Sequence, residues 1–124
     1  MKVLVVDDDE LILKDITDIL EHERIEFISS SGVNEAIEAI SAHKFDAVIT
    51  DIIMPEKTGV DLISFIKKKN PELPIIAMTG GILHTKEDYV NYVEKYADAT
   101  IIKPILRSEL LDAIDSVRSG KRSN

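Results

Sequence analysis

Apolar runs of strand length alternate along this chain with amphipathic stretches of helical length. Lys2–Val6, Ala47–Asp51 and Ile75–Thr79 are almost continuously apolar and rich in β-branched residues, the pattern of strands buried on both faces. Ile25–Ser29 reads as a weaker strand and Thr100–Lys103 as a short fifth one. Between them, apolar residues recur at spacings of three and four. Glu10–His22 carries Leu11, Ile12, Ile16, Ile19 and Leu20 near helical spacing. Val33–His43 places Val33, Ala36, Ile37 and Ile40 on one face, and Val60–Lys68 turns Val60, Ile63 and Ile66 inward. Thr85–Tyr96 and Leu106–Ser119 complete five predicted helices. Turn residues punctuate the pattern at Ser31-Gly32, between Pro55 and Gly59, at Asn70-Pro71 with Pro74, and at Gly80-Gly81.

Strict alternation of strand and helix predicts an α/β fold: a five-stranded parallel sheet, doubly wound, with helices on both faces. One domain is expected over residues 1–119, with 120–124 a short frayed tail. In such sheets ligands bind at the carboxyl ends of the strands, where strand order reverses. Asp7, Asp8, Asp51, Thr79 and Lys103 all fall at predicted strand ends. Crowding acids there is unfavourable, because two unit charges about 4 Å apart repel by roughly 4 kcal/mol at an effective dielectric near 20. Such a cluster points to a bound cation, to chemistry, or to both.

The residue types narrow that chemistry. Oxygen ligands without histidine or cysteine suit Mg²⁺, which takes one or two carboxylates and a phosphate. A carboxylate beside a cation can act as a nucleophile toward phosphorus, forming an acyl phosphate. Asp51 is placed for that role, Thr79 offers a hydroxyl, and Lys103 offers a cation for Asp51 and then for phosphoryl oxygens. A cis bond before Pro104 would turn Lys103 back toward the site. Asp9 and Glu10 fit better as helix-capping acids. His22, His43 and His84 lack metal-ligand spacing, and Lys67-Lys68-Lys69 complements a helix C-terminus.

Composition is that of an ordinary globular protein, with 44% hydrophobic and 31% charged residues. The net charge of −8 argues against non-specific binding to nucleic acid. The absence of cysteine excludes disulfides and thiolate metal sites. With no span-length apolar stretch and a strand pattern from the first residues, neither membrane insertion nor a signal peptide is expected, and a cytoplasmic location is.

Four segments together resemble response-regulator receiver domains over essentially the whole chain: Val5-Val6-Asp7-Asp8, Asp51-Ile52-Ile53-Met54-Pro55 with Gly59 following, Met78-Thr79-Gly80, and Ile101-Ile102-Lys103-Pro104. The resemblance implies a flavodoxin-like strand order of 2-1-3-4-5. It implies Mg²⁺ on Asp7, Asp8, Asp51 and the backbone carbonyl of Ile53. Asp51 would accept phosphate from a histidine kinase or phosphotransfer protein, with Thr79 and Lys103 contacting the phosphoryl group. It further implies signalling through an unidentified downstream protein, a dimer formed on phosphorylation, and no catalysis beyond the chain's own phosphorylation and dephosphorylation. Two positions depart from the family. Thr100 stands where an aromatic residue often changes rotamer on activation, and Ile105 where Phe is common.

The helix over 85–96 adds a surface. Val90, Val93 and Ala97 form one stripe, while Tyr89, Tyr92 and Tyr96, all the tyrosines of the chain, form another about a quarter turn away. The joint arc exceeds what packing on one sheet needs, so a tyrosine partner surface is weighed against rings lying flat at the core edge. Two other functions stand as rivals. A haloacid-type aspartyl-phosphate phosphatase would place a general acid two residues beyond its nucleophile, as Asp9 follows Asp7, but position 11 is Leu and no substrate-binding insertion is present. A receiver-like interaction module that is never phosphorylated would not need the acids, Thr79 and Lys103 intact.

Overall fold

In the computed structural model, five parallel strands, β1 (Lys2–Val6), β2 (Glu26–Ser30), β3 (Ala47–Asp51), β4 (Ile75–Thr79) and β5 (Ala99–Ile102), form one sheet in the order β2-β1-β3-β4-β5. The structure describes residues 1–54, 58–80 and 87–118, and for 87–90 the backbone alone. The helices are α1 (Glu10–His22), α2 (Val33–Ala42), α3 (Gly59–Lys69), α4 (Glu87–Tyr96) and α5 (Arg107–Arg118).

Side-chain alternation explains the layers. Val3, Val5, Ala47, Ile49, Ile76, Met78, Ala99 and Ile101 face a core completed by Ile16 and Leu20 of α1 and by Leu110, Ala113, Ile114 and Val117 of α5. Leu4, Val6, Val48, Ile75 and Ala77 face the opposite core, with Val33 and Ala36 of α2, Leu62, Ile63 and Ile66 of α3, and Val93 and Ala97 of α4. Two helices therefore cover one face and three the other. Each fully buried Val, Leu or Ile contributes roughly 1.5–3 kcal/mol relative to exposure. β2 lies on one side of β1 and β3 on the other, so the chain reverses its direction of travel between β1 and β3. Asp7 and Asp51 lie at the carboxyl ends of those two strands.

The differences from the sequence pattern have local causes. β2 runs one residue later than predicted because α1 closes in a Schellman turn. Arg24 N–H donates to Glu21 (3.0 Å), Ile25 N–H to Leu20 (2.8 Å), and Arg24 takes the left-handed conformation, with φ 58°. Ile25 is thereby spent on the helix end. α3 begins at Gly59, earlier than predicted, because Thr58 and Asp61 make a capping box. The Thr58-x-x-Asp61 spacing carried that signal. Thr85, where the fourth helix was expected to start, falls outside the described residues, as does Pro55. Leu11 is 74% exposed, because it lies off the buried stripe of α1 defined by Ile16 and Leu20.

Candidate functional site

At the carboxyl edge of the sheet, four predicted side chains meet. Asp7 is fully buried and Asp51 is 6% exposed. The Lys103 ammonium lies 2.9 Å from Asp7 Oδ2 and 3.3 Å from Asp51 Oδ1. Asp7, Asp8 and Asp51 each bring a carboxylate oxygen within 4.8 Å of the others. Asp8 is exposed, so the cluster opens to solvent on its side.

The two buried carboxylates are aimed by backbone. Asp9 N–H donates to Asp7 Oδ1 (2.9 Å), and Ile52 N–H to Asp51 Oδ1 (2.9 Å). The Thr50 hydroxyl donates to the Asp51 carbonyl (2.9 Å). Asp9 itself caps α1, its side chain accepting from Leu11 N–H at 2.9 Å, as the pattern of acids suggested. Asp7 Oδ2 differs. Its contact with Lys103 supplies opposite charge, and no other donor among the described residues reaches this buried oxygen. Such groups are rare in native proteins and mark redox, catalytic or ion sites.

The electrostatics carry the same imbalance. Burial pushes the Asp51 carboxyl up to about 6, and the Asp7 charge adds to the rise; Lys103 and the Ile52 N–H pull the other way. Burial opposes the charge on Lys103, yet the Asp7 and Asp51 carboxylates outweigh it and hold the ammonium above its usual range. One lysine does not offset the crowded acids. A divalent cation held by the three carboxylates would, and the donor set is all oxygen, as hard cations require.

The remaining predicted residues sit around this centre. Thr79 ends β4 beside β3, and its carbonyl accepts from Lys103 N–H at 2.8 Å. Ile53 lies two residues past Asp51, with its side chain 43% exposed. The Lys103–Pro104 bond is cis. On α4, Val93 and Ala97 are buried, while Tyr92 and Tyr96 are half-buried at the core edge with ring centroids 4.6 Å apart. The side chain of Tyr89 lies outside the described residues. Sequence reasoning paired Lys103 with Asp51 and missed its shorter contact to Asp7. It also missed the Ile52 N–H, a backbone group that no residue type announces.

Residues 3–115 match the family model for the response regulator receiver domain. The chain belongs to that family. The chain is 34% identical over 116 residues to the transcriptional regulatory protein PdtaR of Mycobacterium tuberculosis, covering 92% of this chain and 55% of PdtaR. It thus spans about half the length of that relative. It is also 34% identical over 117 residues to the chemotaxis protein CheY of Halobacterium salinarum, covering 94% of this chain and 95% of that protein. The response regulator TrrA of Thermotoga maritima, solved in complex with Mg²⁺–BeF, superposes with a TM-score of 0.81 at 26% identity, over 94% of this chain and 97% of that one. The receiver is a signalling module of two-component systems, and phosphorylation-dependent signalling fits this chain. Among the described residues no helix is long and apolar enough to cross a membrane.

Proposed function

We propose that Asp51 is the phosphoacceptor of this receiver and that Asp7, Asp8, Asp51 and the Ile53 carbonyl hold Mg²⁺. The observation that carries this reading is the buried Asp7–Asp51–Lys103 cluster, with one Asp7 oxygen reached by no donor but Lys103 among the described residues and Asp51 pushed up to about 6. The all-oxygen donor set fits Mg²⁺ better than a softer metal. When bound, the cation offsets negative charge on the acids and on the incoming phosphoryl oxygens.

The chain's own groups do the rest. The Ile52 N–H and Lys103 orient the Asp51 carboxylate. A carboxylate oxygen of Asp51 attacks the phosphorus of a phosphohistidine. The new O–P bond forms as the P–N bond breaks, and the imidazole nitrogen leaves with the electron pair. Lys103 then pairs with the phosphoryl oxygens, and the Thr79 hydroxyl donates to one of them. Those contacts favour one of two arrangements near β4 and α4, a population shift felt on the face of Tyr89, Tyr92 and Tyr96. The donor is a histidine kinase or phosphotransfer protein in the cytoplasm. The signal passes to a protein partner or to a second copy in a phosphorylation-dependent dimer. The only reactions catalysed are the chain's own phosphorylation and dephosphorylation. A haloacid-type phosphatase is disfavoured because Asp9, the residue in the general-acid position, is committed to capping α1.

Incubation with Mg²⁺ and acetyl phosphate, read by intact mass, tests the assignment. The wild type should gain one phosphoryl group and Asp51→Asn none. An equal adduct in Asp51→Asn would refute it.

A further inference from the structure

Gly59 opens α3, at the far end of the chain segment that follows Asp51, and its N–H donates to the Ile52 carbonyl at 2.7 Å. A Cβ at Gly59 would lie 2.2 Å from the Asp51 carbonyl oxygen, 2.7 Å from the Ile52 Cα and 3.0 Å from the Asp51 carbonyl carbon. All three are backbone atoms, so no side-chain rotation relieves the contact. At Gly32 and Gly80 a Cβ would meet nothing within 4 Å. The requirement at position 59 is therefore one of approach, not of backbone conformation.

The atoms approached belong to the frame that aims the phosphoacceptor. Ile52 works at both ends: its N–H is shared between Asp51 Oδ1 (2.9 Å) and the Met78 carbonyl of β4 (3.3 Å), and its carbonyl takes the Gly59 N–H. The Ile52 side chain is 1% exposed within the core beneath α3, so this frame cannot swing outward without unpacking. On the other side the Asp51 carbonyl is held by the Thr50 hydroxyl, itself fully buried. The Asp51–Ile52 backbone is thus clamped between β3 and β4 on one side and the first residue of α3 on the other. The clamp closes only if position 59 has no side chain.

We infer that Gly59 is a positioning residue for Asp51, acting through the Ile52 peptide to set where the carboxylate points. The inference rests on the assignment of Asp51 as phosphoacceptor. A methyl at 59 must push the Ile52 peptide and the Asp51 carbonyl away from α3, and the Asp51 carboxylate moves with them. A displacement near 1 Å at a reacting group can lower a rate about 10²-fold.

The test compares Gly59→Ala with Gly32→Ala and wild type, each at a temperature where circular dichroism shows it fully folded. The rate of labelling by acetyl phosphate at saturating Mg²⁺ should fall about 10²-fold in Gly59→Ala and stay at the wild-type value in Gly32→Ala. The Ile52 amide resonance should shift in Gly59→Ala, a change that loss of stability alone does not produce. A folded Gly59→Ala protein labelled at the wild-type rate overturns the inference. If Gly59→Ala does not fold, the wild type decides. On adding Mg²⁺ and then beryllofluoride, the Ile52 and Gly59 amides should move together while the Gly32 amide stays in place. An Ile52 amide that moves without Gly59 overturns the clamp. A wild type that takes no phosphoryl group sinks the assignment of Asp51 itself, and this inference with it.

Discussion

The two ends of the sheet use aspartate in opposite ways. At the amino end, Asp46 and Asp98 precede β3 and β5, and each stitches itself to the start of a neighbouring strand. Asp46 accepts the Lys2 N–H at 2.7 Å and returns its own N–H to the Lys2 carbonyl at 2.7 Å. Asp98 does the same with Ile75, at 2.8 Å in both directions. At the carboxyl end, Asp7 and Asp51 are more deeply buried, repel one another, and leave one Asp7 oxygen with no donor but Lys103 among the described residues. The carboxylates at the amino end tie strands together, whereas the buried, crowded ones at the carboxyl end are available for binding and reaction. Stability sacrificed at a site of action is a common trade in proteins.

That contrast can be broken or sharpened by measurement. The largest stability effect should come from Mg²⁺. At a hundred times its dissociation constant it should stabilise the wild type by about 2.7 kcal/mol in urea unfolding, and Asp7→Ala should lose most of the gain. Equal stabilisation of Asp7→Ala would remove Asp7 from the metal site. Next, Asp98→Ala should destabilise the protein by about 1–3 kcal/mol, since it strands the N–H of Ile75, a fully buried residue. Its labelling rate, measured while folded, should not change. A labelling defect there would blur the distinction between the two ends. The smallest effect is of opposite sign: without metal, Asp51→Asn should be more stable than wild type by about 1 kcal/mol at pH 7.

The pH dependence of that last difference follows from the Asp51 carboxyl. Its folded value is raised to about 6, so between the unfolded value and that point the native state binds more protons than the unfolded state. Stability from this group is therefore greatest at low pH and falls as pH rises through the window ending near 6. The advantage of Asp51→Asn should be full above the window and fade below it. A difference that grew on acidification would reverse the sign and show the carboxylate to be stabilised, not strained, by its surroundings.

Much of this was legible in the chain itself. β1, β3 and β4 were written in β-branched runs that only a doubly covered sheet can bury, and the acids ending them named the working edge. β2 and β5 were legible only to within a residue, because a helix closure by Arg24 and Ile25 and the stitching of Asp98 set their starts. The pairing of Lys103 with Asp51 was readable from their positions at strand ends. Its closer contact with Asp7 was not, since distance across β1, β3, β4 and β5 is a property of the packed sheet.

By itself, the sequence determined the fold class, the edge that carries the chemistry and the identity of its charged groups. Periodicity and residue type suffice for these, because burial on two faces and charge at strand ends are local demands. Only the tertiary structure decided which acid is buried, which of its oxygens faces Lys103, and why position 59 must be glycine. Those depend on atoms far apart in the chain sharing a few ångströms: the Ile52 peptide, the first residue of α3, and a lysine from beyond β5. Sequence distance does not encode that sharing, and packing does.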